Sequence, residues 1–361
     1  MIDLKQYGYT ETERPPDGLI PGRVTELQRE LCAVITERGE VAAVLKGSFH
    51  HQAAIRADYP GVGDYVLLKY NESGVSLIER LLPRRSMFSR ADFSGHAAGY
   101  VKTILEQVVA TNFDYVFILS SLNNDFKVSR IMRYLTQAWQ SRGQPVVILT
   151  KADLVEDRTS PADDVREAAP GVPVHVISAK TGCGMDALNE YLQPGKTIVF
   201  LGMSGVGKSS LLNALMQKEV MVVKAIREDD SRGRHTTTHR ELFMLPSGAM
   251  VIDTPGMREL GLFDANDGIS VGFADVEELA SRCRFSDCKH RTEPGCAILA
   301  ALSDGSLSGE HWAQYLGQKR ENRFVEDKTG YLSDKRAFGK DIAKFSRQLK
   351  HNRRNREVHE Y

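Results

Sequence analysis

Gly202-Met203-Ser204-Gly205-Val206-Gly207-Lys208-Ser209 fits the pattern G-x-x-x-x-G-K-[ST]. An apolar run from Thr197 to Leu201 precedes it and a helix-compatible run from Lys208 to Met216 follows, so the letters stand in the strand–loop–helix setting they need. The glycines let the backbone curl until its N–H groups face a chain of phosphates. Lys208 brings a positive charge to the β- and γ-phosphates and is a candidate catalytic residue. Ser209 offers a hydroxyl to Mg2+, with Ser210 next on the helix. A loop of this kind implies a nucleoside triphosphate site on a parallel α/β sheet.

Downstream, Asp253-Thr254-Pro255-Gly256 follows the apolar run Ala249 to Ile252. A D-x-x-G there places Asp253 in the Mg2+ shell and the Gly256 N–H against the γ-phosphate, although Asp-x-Pro-Gly is also an ordinary turn. Between the two motifs lies Arg232-Gly233-Arg234-His235-Thr236-Thr237-Thr238-His239, polar and without strand pattern, as a switch loop should be. Thr237 is the best placed of its threonines to complete the magnesium shell. Ras-like enzymes keep a glutamine just past D-x-x-G to orient the attacking water. Here that position is Met257, and His235 is the nearest imidazole able to take the role.

Upstream, Thr150-Lys151-Ala152-Asp153 ends the strand-like run Val146 to Leu149, and Ser178-Ala179-Lys180 ends Val174 to Ile177. Guanine presents two adjacent donors, N1–H and the 2-amino group, which one carboxylate accepts together, whereas adenine N1 is an acceptor that a carboxylate repels. Asp153 therefore favours GTP. Lys151 can lay its stem on the base, and the Ser178–Lys180 turn can aim an N–H at the guanine O6. Many GTPases carry Asn where this chain has Thr150. Threonine lacks the carboxamide that bonds guanine N7 and braces the P-loop, so weaker nucleotide affinity is expected.

The order of these motifs is unusual: base motif, Ser-Ala-Lys, P-loop, switch threonines, Asp-Thr-Pro-Gly. Ordinary GTPases begin with the P-loop, so the domain reads as circularly permuted, which is tolerable when domain termini lie close together. The second switch then leads straight into the C-terminal region.

That region carries Cys283-x4-Cys288-x-His290-x5-Cys296, three thiolates and an imidazole suited to a closed, structural Zn2+ site. Cys32 and Cys183, the remaining two of five cysteines, read as ordinary small apolar residues. Before the nucleotide motifs, Gly22 to Leu27, Leu31 to Thr36, Val41 to Lys46, Tyr65 to Tyr70 and Val75 to Leu81 read as short strands with turn residues between them. Five such strands suit an OB-fold or an SH3-like barrel. Helices are expected at Val128 to Gln140 and Met185 to Leu192, and helical sequence runs from the cysteine cluster to the end.

The chain has 361 residues, enough for two or three domains at roughly 100–200 residues each. Hydrophobic residues make up 42% and charged ones 26%, as in folded proteins, and no run approaches the ~18 apolar residues of a membrane span. A polar N-terminus and clustered cysteines suggest a reducing, cytoplasmic location; the chain is expected to be a monomer. Net charge is zero, yet nine Lys or Arg and one Asp lie between Lys335 and Arg356, a segment of +8. Within it Phe338, Ile342, Phe345 and Leu349 share one helical face, with too little apolar surface and no Trp for a membrane anchor. The tail instead suits a polyanion.

Taken together these motifs resemble the RsgA/YjeQ family of circularly permuted GTPases that depend on the small ribosomal subunit. Gly233-Arg234-His235-Thr236-Thr237-Thr238 and Asp253-Thr254-Pro255-Gly256-Met257 are especially similar. The resemblance implies a multidomain chain. An OB-fold β-barrel binding RNA would occupy residues 1–85, a permuted α/β P-loop GTPase domain 86–270, and a zinc-binding helical domain with a basic tail 271–361. It also implies GTP hydrolysis stimulated by the small ribosomal subunit and contact with its rRNA, in late assembly. The competing expectation is an RNA-binding assembly factor in which nucleotide is mainly structural.

Overall fold

The computed structural model describes residues 1–10, 15–28, 31–52, 56–92, 105–123, 126–221, 240–253 and 265–326. Strands β1 (Ile20–Gln28), β2 (Leu31–Thr36) and β3 (Gly39–Leu45) form an antiparallel meander. A short helix α1 (Gly47–Gln52) leads to β4 (Tyr65–Lys69) and β5 (Ser76–Leu81). β5 pairs in parallel with β3, and β4 pairs with both β5 and β1, so the order β1-β2-β3-β5-β4 closes on itself. Closure leaves the five strands without a free edge, and Val24, Val34, Val66, Leu68 and Ile78 fill the interior. These strands fall within a residue or two of the sequence expectation, and the connectivity is that of an OB-fold rather than an SH3-like barrel.

A hairpin, β6 (Met87–Asp92) with β7 (Leu105–Thr111), leads into the α/β sheet. There β8 (Tyr115–Ser121), helix α2 (Val128–Gln140), β9 (Gln144–Thr150), helix α3 (Thr159–Ala168) and β10 (Val174–Val176) precede β11 (Thr197–Leu201) and helix α4 (Lys208–Met216). β12 (Glu241–Met244) and β13 (Met250–Asp253) complete it in the order β10-β9-β8-β11-β13-β12. All but β12 run parallel. Alternate side chains serve opposite faces. Val116, Ile118, Val147 and Val199 pack with α2, α3 and the hairpin, while Phe117, Leu119, Ile148 and Phe200 pack with α4. The segment Met185–Glu190, expected to be an α-helix, is a 3-10 helix.

Barrel and sheet meet along β1, which pairs with β12 at Glu26 and Glu241. Arg23 holds the other end of this seam and is fully buried. Its guanidinium donates to the carbonyls of Gly63 (3.2 Å), Tyr7 (2.8 Å) and Asn112 (2.9 Å) and to the Thr197 hydroxyl (3.0 Å). The Tyr65 ring lies 5.0 Å from it. A planar fork of donors suits this role, since one charge satisfies oxygens from three directions.

Helices α5 (Asn266–Gly272), α6 (Ala274–Ser281), α7 (Ala297–Asp304) and α8 (Gly309–Glu326) form the last layer around Ile269, Phe273, Val276 and Ile298. α5 lies against α2 so closely that a Cβ on Gly268 would sit 2.0 Å from the Thr136 carbonyl oxygen. The Asn322 side chain on α8 accepts the Ala265 N–H at 2.8 Å, and Arg133 pairs with Glu321 at 2.5 Å.

Candidate nucleotide site and metal centre

Because β10, β9, β8, β11 and β13 are parallel, their carboxyl ends lie along one edge. That edge collects Ser178, Thr150, Gly202 and Asp253 from segments distant in sequence. β8 and β11 are neighbours although α2, β9, α3 and β10 come between them in the chain, so the strand order switches direction there. Open α/β sheets bind ligands at such a point.

The P-loop backbone takes conformations that suit glycine. Gly202, Gly205 and Gly207 have φ of 146°, 80° and 103°. A Cβ on Gly202 would lie 2.4 Å from the Leu119 carbonyl oxygen. Lys208, at the start of α4, folds back to donate to the carbonyls of Gly202 (2.5 Å) and Met203 (2.7 Å). Val206 is buried, Ser204 and Gly205 face solvent, and Met203, Ser209 and Ser210 are half-buried. Asp253 ends β13 beside β11 and is 9% exposed.

On the base side, Lys151 takes a left-handed conformation (φ 60°) that turns the chain sharply off β9. The Ala152 N–H then bonds the Ile177 carbonyl at 3.1 Å, fastening this loop to the Ser178–Lys180 turn. The Ser178 hydroxyl donates to Asp153 Oδ1 at 2.7 Å and accepts from the Thr181 N–H at 3.2 Å. This bond above all holds the Asp153 carboxyl below its ordinary range, keeping it an acceptor. Ala179 is half-buried and Lys180 exposed on the same turn.

For Thr150 one point is corrected, the expected loss of the P-loop brace. Its hydroxyl donates to the Val206 carbonyl at 2.5 Å, with the Ser120 carbonyl at 3.4 Å. The base loop therefore braces the P-loop through a hydroxyl, without a carboxamide. Cys183 is also corrected: it is exposed, and its carbonyl accepts the Ser178 N–H. Gly256, His235, Thr237, Met257 and the tail from Lys335 lie outside the described residues.

In the C-terminal layer one ligand atom each from Cys283, Cys288, His290 and Cys296 lies within 4.8 Å of all the others. Cys283 Sγ is 3.9 Å from Cys296 Sγ and 3.5 Å from His290 Nδ1, which is 3.4 Å from Cys296 Sγ. Bonds of roughly 2.3 Å to sulfur and 2.0–2.1 Å to nitrogen around a tetrahedral ion put such atoms about 3.5–3.8 Å apart. The donor set therefore fits a tetrahedral metal. Cys296 caps α7, with Sγ accepting the Leu299 N–H. Glu293 pins the loop between the ligands by accepting N–H bonds from Arg291, Thr292 and Lys289, and the Arg291 bond above all lowers its carboxyl pKa to about 2. Neither Glu293 nor Arg23 was singled out from sequence, and no local pattern distinguishes them from surface charges.

The RsgA GTPase family model matches residues 81–263. A small ribosomal subunit biogenesis GTPase, RsgA 2 of Listeria monocytogenes, is 45% identical over 324 residues, covering 89% of each chain. The chain belongs to the RsgA GTPase family. The RsgA of Streptomyces coelicolor is 43% identical, covering 87% of this chain and 83% of its own. The crystal structure of YjeQ from Thermotoga maritima superposes with a TM-score of 0.60 at 27% identity, over 84% of this chain and 98% of that one. In this RsgA family member, as the motif order required, the base-loop strand β9 precedes the P-loop strand β11. Among the described residues no helix is long and apolar enough to cross a membrane.

Proposed function

We propose that this protein binds GTP along the carboxyl edge of its sheet, hydrolyses it, and through that cycle serves the maturation of the small ribosomal subunit. The observation that carries the reading is the Thr150–Val206 hydrogen bond. It ties a guanine-type recognition loop to a phosphate cradle, in a chain whose relatives bear the name small ribosomal subunit biogenesis GTPase.

In this reading Asp153 accepts the two guanine donors, Lys151 covers the base, and the Ser178-Ala179-Lys180 turn faces O6. The P-loop N–H groups and Lys208 hold the phosphates, and Gly256 touches the γ-phosphate. Ser209, Asp253 and Thr237 hold Mg2+, which when bound offsets phosphate charge. His235 orients water. Zn2+ in the three-cysteine, one-histidine centre is structural, since four protein ligands leave no open position. The protein works in the cytoplasm as a monomer, with the barrel and basic tail facing rRNA.

The test is GTP turnover with and without purified small ribosomal subunits. Stimulation by subunits is the expected result, and turnover unchanged by them refutes the ribosomal assignment. His235→Ala should leave GTP binding near the parent value and lower stimulated turnover; undiminished stimulation removes His235 from the mechanism.

A further inference from the structure

An open groove of about 1000 Å3 runs between the α2–α3 side of the sheet and the C-terminal helices, away from the nucleotide edge. Its apolar lining residues include Val128, Met132, Trp139, Val172, Val271 and Leu307. Val271 remains 57% exposed. Among the described residues four carboxylates line the groove, Asp164 and Glu167 on α3, Asp275 on α6 and Glu310 at the start of α8, and no lysine or arginine does. His311 bonds Asp275 at 3.2 Å. The nearby Arg166 and Arg133 are paired with Asp163 and Glu321. An apolar trough edged by carboxylates has the chemistry to receive an amphipathic basic helix.

This chain contains a segment with the sequence pattern for one. Between Lys335 and Arg356 the charge is +8, and Phe338, Ile342, Phe345 and Leu349 recur at helical spacing with Lys335, Lys344 and Lys350 beside them. Connection is possible as well. α8 begins in the groove at Glu310 and His311, and Glu321 near its far end is held to α2, the helix that supplies part of the apolar lining. From Glu326 to Phe338 the chain can span roughly 40 Å. The 18 residues of α8 are only about 27 Å long. The tail is therefore long enough to return from Glu326 to the groove at Glu310.

We propose that in the free protein this groove seats the chain's own C-terminal tail, apolar face on the apolar lining and lysines toward the four carboxylates. RNA phosphates then compete with the groove for the same cations, so the tail is exchanged between an internal acidic partner and an external one. The seat belongs to the free protein and stands whether or not the ribosomal reading holds.

Zero-length carbodiimide cross-linking of the full chain, which joins carboxylates to lysine amines, tests the seat directly. Lys335, Lys340, Lys344 or Lys350 should couple to Asp164, Glu167, Asp275 or Glu310, within single chains when 14N- and 15N-labelled protein are mixed. The yield should fall by at least about fivefold in the double variant Asp164→Lys/Glu167→Lys, and as salt is raised. Ile342→Asp with Phe345→Asp should also lower it, because these changes remove the apolar anchor while most of the basic charge stays. Basal GTP turnover should not change in the Asp164→Lys/Glu167→Lys variant. Absence of tail-to-groove products overturns the proposal, as do products unaffected by both pairs of substitutions. Products only between differently labelled chains overturn it too, and assign the groove to a second copy's tail.

Discussion

Thr150→Val removes one hydroxyl and keeps the side-chain shape. Thr150 is 5% exposed and Val206 4% exposed, so water cannot readily replace the 2.5 Å hydrogen bond between them. A buried acceptor left without its donor costs about 1–3 kcal/mol. That cost divides between the fold, which loses a tie between β9 and the P-loop, and nucleotide binding, which must then order a looser loop. With 1–2 kcal/mol of it falling on binding, affinity for GDP and GTP drops roughly 5- to 30-fold. Any remainder lowers the melting temperature by about 2–4 °C per kcal/mol. Base choice should not move, since Asp153 and Ser178 are untouched. Titration with a fluorescent guanine nucleotide and a thermal melt measure both effects, and Thr150→Ser, which retains the hydroxyl, should stay near the parent. A Thr150→Val protein that binds GDP within about twofold of the parent and melts at the same temperature refutes the brace.

Asp153→Asn should weaken GTP binding and admit xanthine nucleotides, whose 2-oxo group takes a donor; GTP binding equal to the parent's would remove Asp153 from base recognition. Freshly purified protein should carry about one zinc per chain, and Cys288→Ala should lower stability or solubility before nucleotide binding changes; elemental analysis and calorimetry decide this. Arg23→Lys should destabilise the chain by about 1–3 kcal/mol for each carbonyl it leaves unpaired, read by denaturant unfolding, because a compact ammonium cannot reproduce the spread of the guanidinium fork among Gly63, Tyr7 and Asn112. A loss below about 1 kcal/mol would show that the buried guanidinium is not what joins barrel to sheet.

What could be read along the chain was chemistry set by short spacing. The P-loop, Thr150 to Asp153, Ser178 to Lys180 and the cysteine cluster each need their residue types within a few positions, so each is legible before any folding is known. Helix α2 lies where its apolar period put it, and the barrel strands nearly so, because burial of one face imposes a regular pattern. Helix α3 was missed: of its ten residues only Ala162 and Val165 are buried, too few to mark a stripe. The β6–β7 hairpin was missed as well: Val108 to Thr111 are buried in an unbroken run, which lacks the alternation that marks a half-buried strand. Tertiary structure alone decided that the Thr150 hydroxyl meets a P-loop carbonyl 56 residues away and that Arg23 reaches Thr197 across 174 residues. It alone set four carboxylates from three helices around one apolar trough. A residue's local pattern records which face it buries, whereas its partner depends on how whole sheets and helices settle against one another, and no short stretch of sequence carries that distance.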